Sequence, residues 1–174
     1  MSNTIEVNQF FDEKNLNSFR KQVLNPFVFK AGLIKDLPLS AMTGVKMNRL
    51  TRDECELEVS YNFINKNPFN TTYWAVLGMV AEMASGAILL MYTNKLKPSV
   101  STFVIGMEAK FVKRALGKTT FKCVQGAEIA EKVYNTCQTF ESEEVKCRTN
   151  AYNEQGEIVA EFVFTWGIKA RKNK

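Results

Sequence analysis

The 174-residue chain contains no histidine. This absence excludes Ser-His-Asp and Cys-His nucleophile pairs, an imidazole general base and any histidine-ligated zinc. Proton transfer must therefore use carboxylate, lysine, tyrosine, cysteine or water. Concentrated charge is also scarce, because the net charge of +5 is spread thinly and no basic stripe or nucleic-acid-binding motif is present. We expect no nucleic-acid partner, and we expect a solvated, disordered tail at the one basic run, which contains Lys169, Arg171, Lys172 and Lys174.

Paired cysteine motifs are missing as well. None of the four cysteines, Cys55, Cys123, Cys137 and Cys147, forms a C-x-x-C pair, so the sequence predicts neither a metal nor a redox centre. The N-terminus lacks a basic stretch followed by an apolar run, so we expect no signal peptide. Free thiols in a reducing cytoplasm are the simplest interpretation.

The first 40 residues have a helical pattern. Apolar residues among charges predict an amphipathic helix over 10–24. Asn25 and Pro26 are typical of an N-cap followed by proline at the first helical position. A second helix should then run to about Leu37 and stop before Pro38.

From Thr43 onward the apolar period becomes that of a strand. Cys55, Leu57, Val59 and Tyr61 alternate with polar residues, and a turn at 51–53 predicts a hairpin with the strand before it. Further strands are predicted over 103–112, 119–124, 143–153 and 157–168, with a helix near 128–141 and turns at Leu116-Gly117 and 153–156. Short turns favour an antiparallel sheet, and the fold class is therefore α+β.

Residues 73–92 form an almost wholly apolar segment whose only charge is Glu82. Its length suits a transmembrane helix, but a carboxylate near its middle would be costly there. A helix that is apolar on every face can instead be a buried core helix. We therefore expect no membrane span, and a curved sheet wrapped around this helix.

Glu82 is the main candidate for chemistry. On a helix it shares a face with three small residues, Gly78, Ser85 and Gly86, which would leave a groove beside the carboxylate. Burial without donors would raise its pKa towards neutrality, as suits a general base. The alternative is a glutamate that bonds a loop backbone or reaches a subunit interface.

The start of the same helix is a second candidate. Asn70, Thr71 or Thr72 can cap it, and no acidic residue occupies its first turn. Free N–H groups near Trp74 and Ala75 can receive an oxygen that becomes an oxyanion. The alternative is an ordinary capped helix.

The string from Asn67 to Gly86 resembles the loop and central helix of hotdog-fold acyl-CoA thioesterases, and Met107 to Gly117 is similar to the strand and turn that follow. The nearest groups are the phenylacetate-pathway thioesterases and a related family of uncharacterised hotdog domains. The resemblance covers about residues 43–169. It implies a single hotdog domain over 1–174, with a helical extension at about 1–40, a core at 41–169 whose central helix spans about 71–93, and a basic tail at 170–174.

The resemblance also implies a mechanism. Asn67 matches a family asparagine that would orient the attacking water, and Glu82 matches the acid that would act as general base or nucleophile on a thioester. The family's His-Gly-Gly reads Tyr73-Trp74-Ala75 here, so the backbone N–H groups of Trp74 and Ala75 would hold the oxyanion. Thr71, Thr72 and Ser85 are further candidates for polar contacts with substrate. Gly78 and Gly86, which the helical spacing places beside Glu82, are candidates for lining the substrate groove.

The family further implies an acyl-CoA or acyl-carrier-protein substrate, no cofactor, and a homodimer or a tetramer built from such dimers. Lys110, Lys113 and Arg114 would meet CoA phosphates, although exposed charges at a strand end also serve solubility. Because His-Gly-Gly is lost, a non-catalytic acyl-binding hotdog protein is the alternative function. A hotdog hydratase is disfavoured, because the resemblance implies that such enzymes use an Asp/His pair and this chain has no histidine.

Overall fold

The computed structural model describes residues 2–172. Four helices precede the sheet: α1 (Ser2–Phe10), α2 (Glu13–Val23), α3 (Pro26–Asp36) and α4 (Pro38–Thr43). The strands and the two later helices follow as β1 (Lys46–Leu50), β2 (Cys55–Ser60), α5 (Trp74–Thr93), β3 (Val100–Phe111), β4 (Lys118–Cys123), α6 (Gly126–Thr139), β5 (Glu143–Tyr152) and β6 (Ile158–Ala170).

The N-terminal helices differ from the prediction in three places. Helix α1 was not predicted. The helix predicted over 10–24 forms over Glu13–Val23, because the Asp12 side chain caps it by accepting a hydrogen bond from the Lys14 N–H. The second helix is confirmed, with Asn25 as N-cap and Pro26 at its first position. Pro38 ends α3 as predicted and also opens α4, which the sequence analysis did not predict, because proline is tolerated in a first turn.

All six strands form one antiparallel sheet in the order β1-β2-β4-β5-β6-β3. The predicted alternation on β2 is confirmed, since Cys55, Leu57 and Val59 are fully buried. The predicted turns hold as well, with Gly117 and Gly156 at positive φ, where glycine is favoured. The α+β class, with a curved antiparallel sheet around one central helix, is therefore confirmed.

A β-bulge in β3 places residues of one alternating apolar set on opposite faces of the sheet. Register shifts between Val104 and Gly106, so Phe103 pairs with Gly167 while Met107 pairs with Phe164. Paired residues share a face of an antiparallel sheet, and Phe164 lies on the same face of β6 as Trp166, whose ring packs against Gly86 of α5. Phe103 and Ile105 therefore lie on the outer face, and Met107, Ala109 and Phe111 on the inner face.

Helix α5 lies against the inner face of the sheet. Its length and composition would allow it to cross a membrane, but 12 of its 20 residues are buried within this chain. The buried Thr149 hydroxyl on β5 donates to the Ala81 carbonyl, 3.0 Å away. Because the sheet supplies both apolar contacts and a hydrogen bond, α5 behaves as the core helix that the sequence predicted.

The basic tail is shorter than expected. Strand β6 includes Lys169 and Ala170, and the Arg171 N–H donates to the Ser99 carbonyl. Lys172 is exposed, and Lys174 lies outside the described residues. Edge pairing with the chain before β3 therefore orders part of a run that its charge alone had suggested to be disordered.

Gly126, the first residue of α6, lies where no side chain fits. A Cβ there would stand 1.9 Å from the Arg52 carbonyl oxygen. We predict that Gly126→Ala lowers the free energy of unfolding by about 2 kcal/mol or more, because backbone must move. Gly32→Ala on α3 is the control, since its Cβ meets nothing within 4 Å and alanine favours helix. Urea unfolding measures the free energy of unfolding of the two variants, and equal values would contradict the packing described.

Candidate active site

Glu82 lies half-buried at the middle of α5, on the wall of an apolar groove of about 430 Å³. Helices α2 and α3 cover the groove, α5 forms its floor, and Trp166 of β6 lies beside the carboxylate. We call this space the apolar groove; its main apolar walls are Phe19, Val23, Phe29, Leu33, Met83 and Trp166. The predicted groove beside Glu82 thus exists, although the N-terminal helices build much of it.

Nothing in residues 2–172 compensates the charge of Glu82. The one side-chain hydrogen bond that reaches this residue goes to its backbone carbonyl, from the Ser85 hydroxyl. Burial alone raises the pKa of the Glu82 carboxyl above its ordinary value. A carboxylate with a raised pKa and no partner is suited to take up a proton.

The small residues around Glu82 have different roles. A Cβ at Gly86 would lie 3.5 Å from both Glu82 Oε1 and the Trp166 ring, so this glycine lines the groove. Gly78 faces the Phe162 ring on the sheet, 3.7 Å from where its Cβ would be. The Ser85 hydroxyl is buried and accepts a hydrogen bond from Trp166 Nε1 at 3.0 Å. Ser85 and Gly78 thus contact the sheet, and their predicted contacts with substrate stay predictions.

The start of α5 presents unused donors. Tyr73 is the N-cap and provides no side-chain cap, so capping by Asn70, Thr71 or Thr72 does not occur. In the described part of the chain, the N–H groups of Trp74 and Ala75 have no acceptor. The Thr72 hydroxyl is buried and equally lacks a partner. The two N–H groups are available to an oxygen atom placed at the helix start, whereas the Thr72 hydroxyl is enclosed by protein.

Asn67 organises the loop before α5. Its Oδ1 accepts hydrogen bonds from the N–H groups of Phe69 and Thr71, and its Nδ2 donates to Thr71 Oγ1 at 2.8 Å. The carboxamide therefore holds the loop that leads into the helix. Orientation of a water by Asn67 stays a prediction.

A second cavity, of about 370 Å³, opens beside this helix start. We call it the basic pocket; its lining includes Asn67, Thr72, Trp74, Phe111, Lys113 and Arg114. Lys113 also forms an ion pair with Glu157 at 2.6 Å, which lowers the pKa of that carboxyl. Lys110 lies outside the pocket lining, 4.0 Å from Glu161.

The candidate residues fall into two groups within one chain. Asn67, Thr71, Thr72 and Trp74 gather at the basic pocket, whereas Glu82 and Gly86 line the apolar groove. Glu82 follows Trp74 by eight positions on the helix, which is about 12 Å along the axis. Sequence reasoning missed the contribution of α2, α3 and Trp166, because their approach to α5 depends on tertiary packing.

The comparisons with known proteins support the fold. Residues 27–168 match a family described as "Domain of unknown function (DUF4442)". The chain belongs to this family. A comparison of the DUF4442 chain with curated proteins found no match.

Several solved structures are similar to this DUF4442 chain. A protein of unknown function from Pseudomonas aeruginosa, described as a probable thioesterase, aligns with a TM-score of 0.70 and 20% identity over 84% of this chain and 97% of that one. A thioesterase family protein from Silicibacter pomeroyi aligns with a TM-score of 0.62 and 13% identity, covering 88% and 99%. A thioesterase from Haemophilus influenzae gives 0.59 and 14%, covering 80% and 87%. These likenesses confirm the hotdog fold.

The uncompensated charge of Glu82 predicts a pH-dependent stability difference. Its folded-state pKa is raised, so the wild-type DUF4442 chain loses stability as pH rises through that pKa and the carboxyl ionises. Glu82→Gln removes the charge and should raise Tm at about pH 8, with the gain shrinking towards zero at about pH 4. Thermal unfolding across pH measures this. Glu144→Gln, which changes an exposed residue on β5, is the control and should show no such trend. A pH-independent effect of Glu82→Gln would contradict the conclusion that burial of Glu82 raises its pKa.

Proposed function

We propose that this protein hydrolyses an acyl-CoA or acyl-carrier-protein thioester, with Glu82 as the catalytic carboxylate. The observation that carries the proposal is the half-buried Glu82, which has no ion pair in the described residues and has a raised pKa. The fold it shares with thioesterase family proteins gives additional support. With no histidine in the chain, Glu82 is the strongest candidate for a base.

The proposed reaction uses groups described above. The ionised Glu82 takes a proton from water, whose oxygen attacks the thioester carbonyl carbon. The carbonyl oxygen becomes an oxyanion, which the N–H groups of Trp74 and Ala75 stabilise. The C–S bond then breaks, and Glu82 returns its proton to the leaving thiolate. Direct attack by Glu82, with an anhydride as intermediate, is the variant that the same geometry permits.

This reaction requires two copies of the chain, because one copy keeps Glu82 about 12 Å from the helix start. Strand β3 supplies the reason to expect a homodimer. It is a 12-residue edge strand with one unpaired side. Met107 and Phe111 lie on its inner face, yet they are 50% and 48% exposed. An apolar inner face that its own chain leaves uncovered is typical of an interface.

Antiparallel pairing of two β3 edges would assemble the site. If the pairing is centred on Ile105 and Gly106, Val100 of one copy lies opposite Phe111 of the other. Thr102, which lines the apolar groove, then lies near the residues that line the second copy's basic pocket. Glu82 of one copy would thus approach Trp74 and Ala75 of the other. Symmetry would give two such sites in each dimer.

The direct test is hydrolysis of a panel of acyl-CoA thioesters, followed through release of the free thiol. We predict that Glu82→Gln lowers kcat/KM by about 100-fold or more, the contribution of a positioned base. Glu144→Gln, an exposed carboxylate on β5, is the matched control and should keep wild-type activity. Full activity in Glu82→Gln would exclude this carboxylate, and wild type that binds acyl-CoA without turnover would favour the non-catalytic alternative.

The dimer has its own test. Met107→Asp puts a charge on the uncovered inner face of β3 and should raise the dimer dissociation constant by about 100-fold or more. Light scattering after gel filtration should then give the mass of a single chain. Val124→Asp changes an equally apolar residue that is 63% exposed elsewhere, and should leave the dimer intact. A wild-type monomer, or a Met107→Asp dimer, would contradict the proposed pairing.

A further inference from the structure

The apolar groove has the form of a ligand site. About 430 Å³ is within the usual range for small-molecule pockets, which are mainly apolar with a few polar groups that orient the ligand. Here Phe19 and Val23 of α2 and Phe29 and Leu33 of α3 face α5 across open space. Glu82 and Trp166 lie together at the α5 side of it.

We propose that the apolar groove holds the hydrocarbon part of the acyl group, and that helices α2 and α3 set the chain length this protein accepts. This inference rests on the proposed function, because it places the acyl carbonyl beside Glu82. It extends that function by assigning the N-terminal helices, which lie outside the sheet, as the determinant of substrate specificity. The substrate class is then a thioester with an apolar aliphatic or aromatic acyl chain.

The charges of the groove select a neutral occupant. Glu82 and Asp36 are the charged residues among its described lining, which includes no lysine or arginine. An acyl thioester is neutral at its carbonyl end and meets no repulsion. A free fatty acid carries a carboxylate, which would lie near the Glu82 carboxylate and be repelled. The groove should therefore bind the chain of a thioester and disfavour the acid released from it.

Gly32 marks the place where chain length can be set. It lies within α3, lines the groove, and a Cβ built on it meets nothing within 4 Å. A larger side chain at this position would enter the groove without displacing backbone. Lys30, two residues earlier, is exposed and lies on the opposite side of α3, so it offers a matched control.

Trp166 provides a readout that does not depend on hydrolysis. The chain has two tryptophans, so Trp74→Phe leaves Trp166 as the only one. Its ring lies in the wall of the groove, where entry of a ligand changes its surroundings. Neutral 1-alkanols of increasing length are suitable probes, because they need neither the CoA contacts nor the thioester chemistry.

The experiment titrates 1-alkanols and fatty acids of equal length into the Trp74→Phe protein and follows Trp166 fluorescence. We expect saturable binding that tightens with chain length, and weaker binding of the acids than of the alkanols. Gly32→Leu should weaken binding of the longest alkanols by about tenfold, the loss expected when about two methylene groups lose apolar contact. Lys30→Leu should bind them as the parent does.

The second arm measures acyl-CoA hydrolysis by proteins that carry the same two substitutions and retain Trp74. Gly32→Leu should shift the preferred substrate to shorter chains, and Lys30→Leu should not. Absence of alkanol binding at Trp166, or an identical chain-length profile in all variants, overturns the groove assignment even where hydrolysis occurs. Binding in the groove without any hydrolysis supports the assignment and contradicts the proposed function instead.

Discussion

A helix that is apolar on every side must be covered on every side, and this chain covers α5 only in part. The sheet and the neighbouring helices bury its middle, where Val80, Ala84 and Ile88 are inaccessible to solvent. The inner face of β3, at the open edge of the sheet, stays exposed at Met107 and Phe111. Both cavities open near this strand, one towards each of its ends, since Thr102 lines the apolar groove and Phe111 the basic pocket. The apolar surface that one chain leaves exposed at β3 therefore accounts for both the expected dimer and the place where a site can form.

The two cavities differ in chemistry, and the difference is consistent with the two halves of the proposed acyl-CoA substrate. The basic pocket offers Lys113 and Arg114, and it adjoins the free N–H groups that begin α5. The apolar groove offers aromatic and aliphatic walls with Glu82 at its α5 side. A neutral thioester between them would meet donors on one side and a base on the other. The His-Gly-Gly of the thioesterases that the sequence resembles is replaced by other side chains at 73–75, whereas the proposed oxyanion contacts use backbone N–H groups, which remain.

Local sequence signals predicted most of the fold. Asn25 and Pro26, the alternation on β2 and the glycine turns act over a few residues, so each could be identified directly. The bulge at Ile105 could not, because an extra residue in one strand becomes apparent only against its partner. Within the site, Glu82 was predicted because a lone charge in an apolar helix is conspicuous. Asn67 bonds Phe69 and Thr71 within its own loop, a local role that asparagine commonly takes in turns and that the sequence analysis did not assign. The wall built by α2 and α3 depends on contacts between distant segments, which residue types alone do not specify.

The central claim is that one copy supplies Glu82 and the other supplies the start of α5. It can be tested with dimers purified through two different tags, one chain carrying Glu82→Gln and the other Trp74→Pro. Proline suits the first helical position and removes the N–H, and the extended Tyr73 (φ −62°, ψ 134°) accepts a following proline. The account predicts that each variant is inactive as a homodimer, while the mixed dimer regains one intact site and about half of the wild-type rate. A mixed dimer as inactive as its parents would contradict a site shared between two copies.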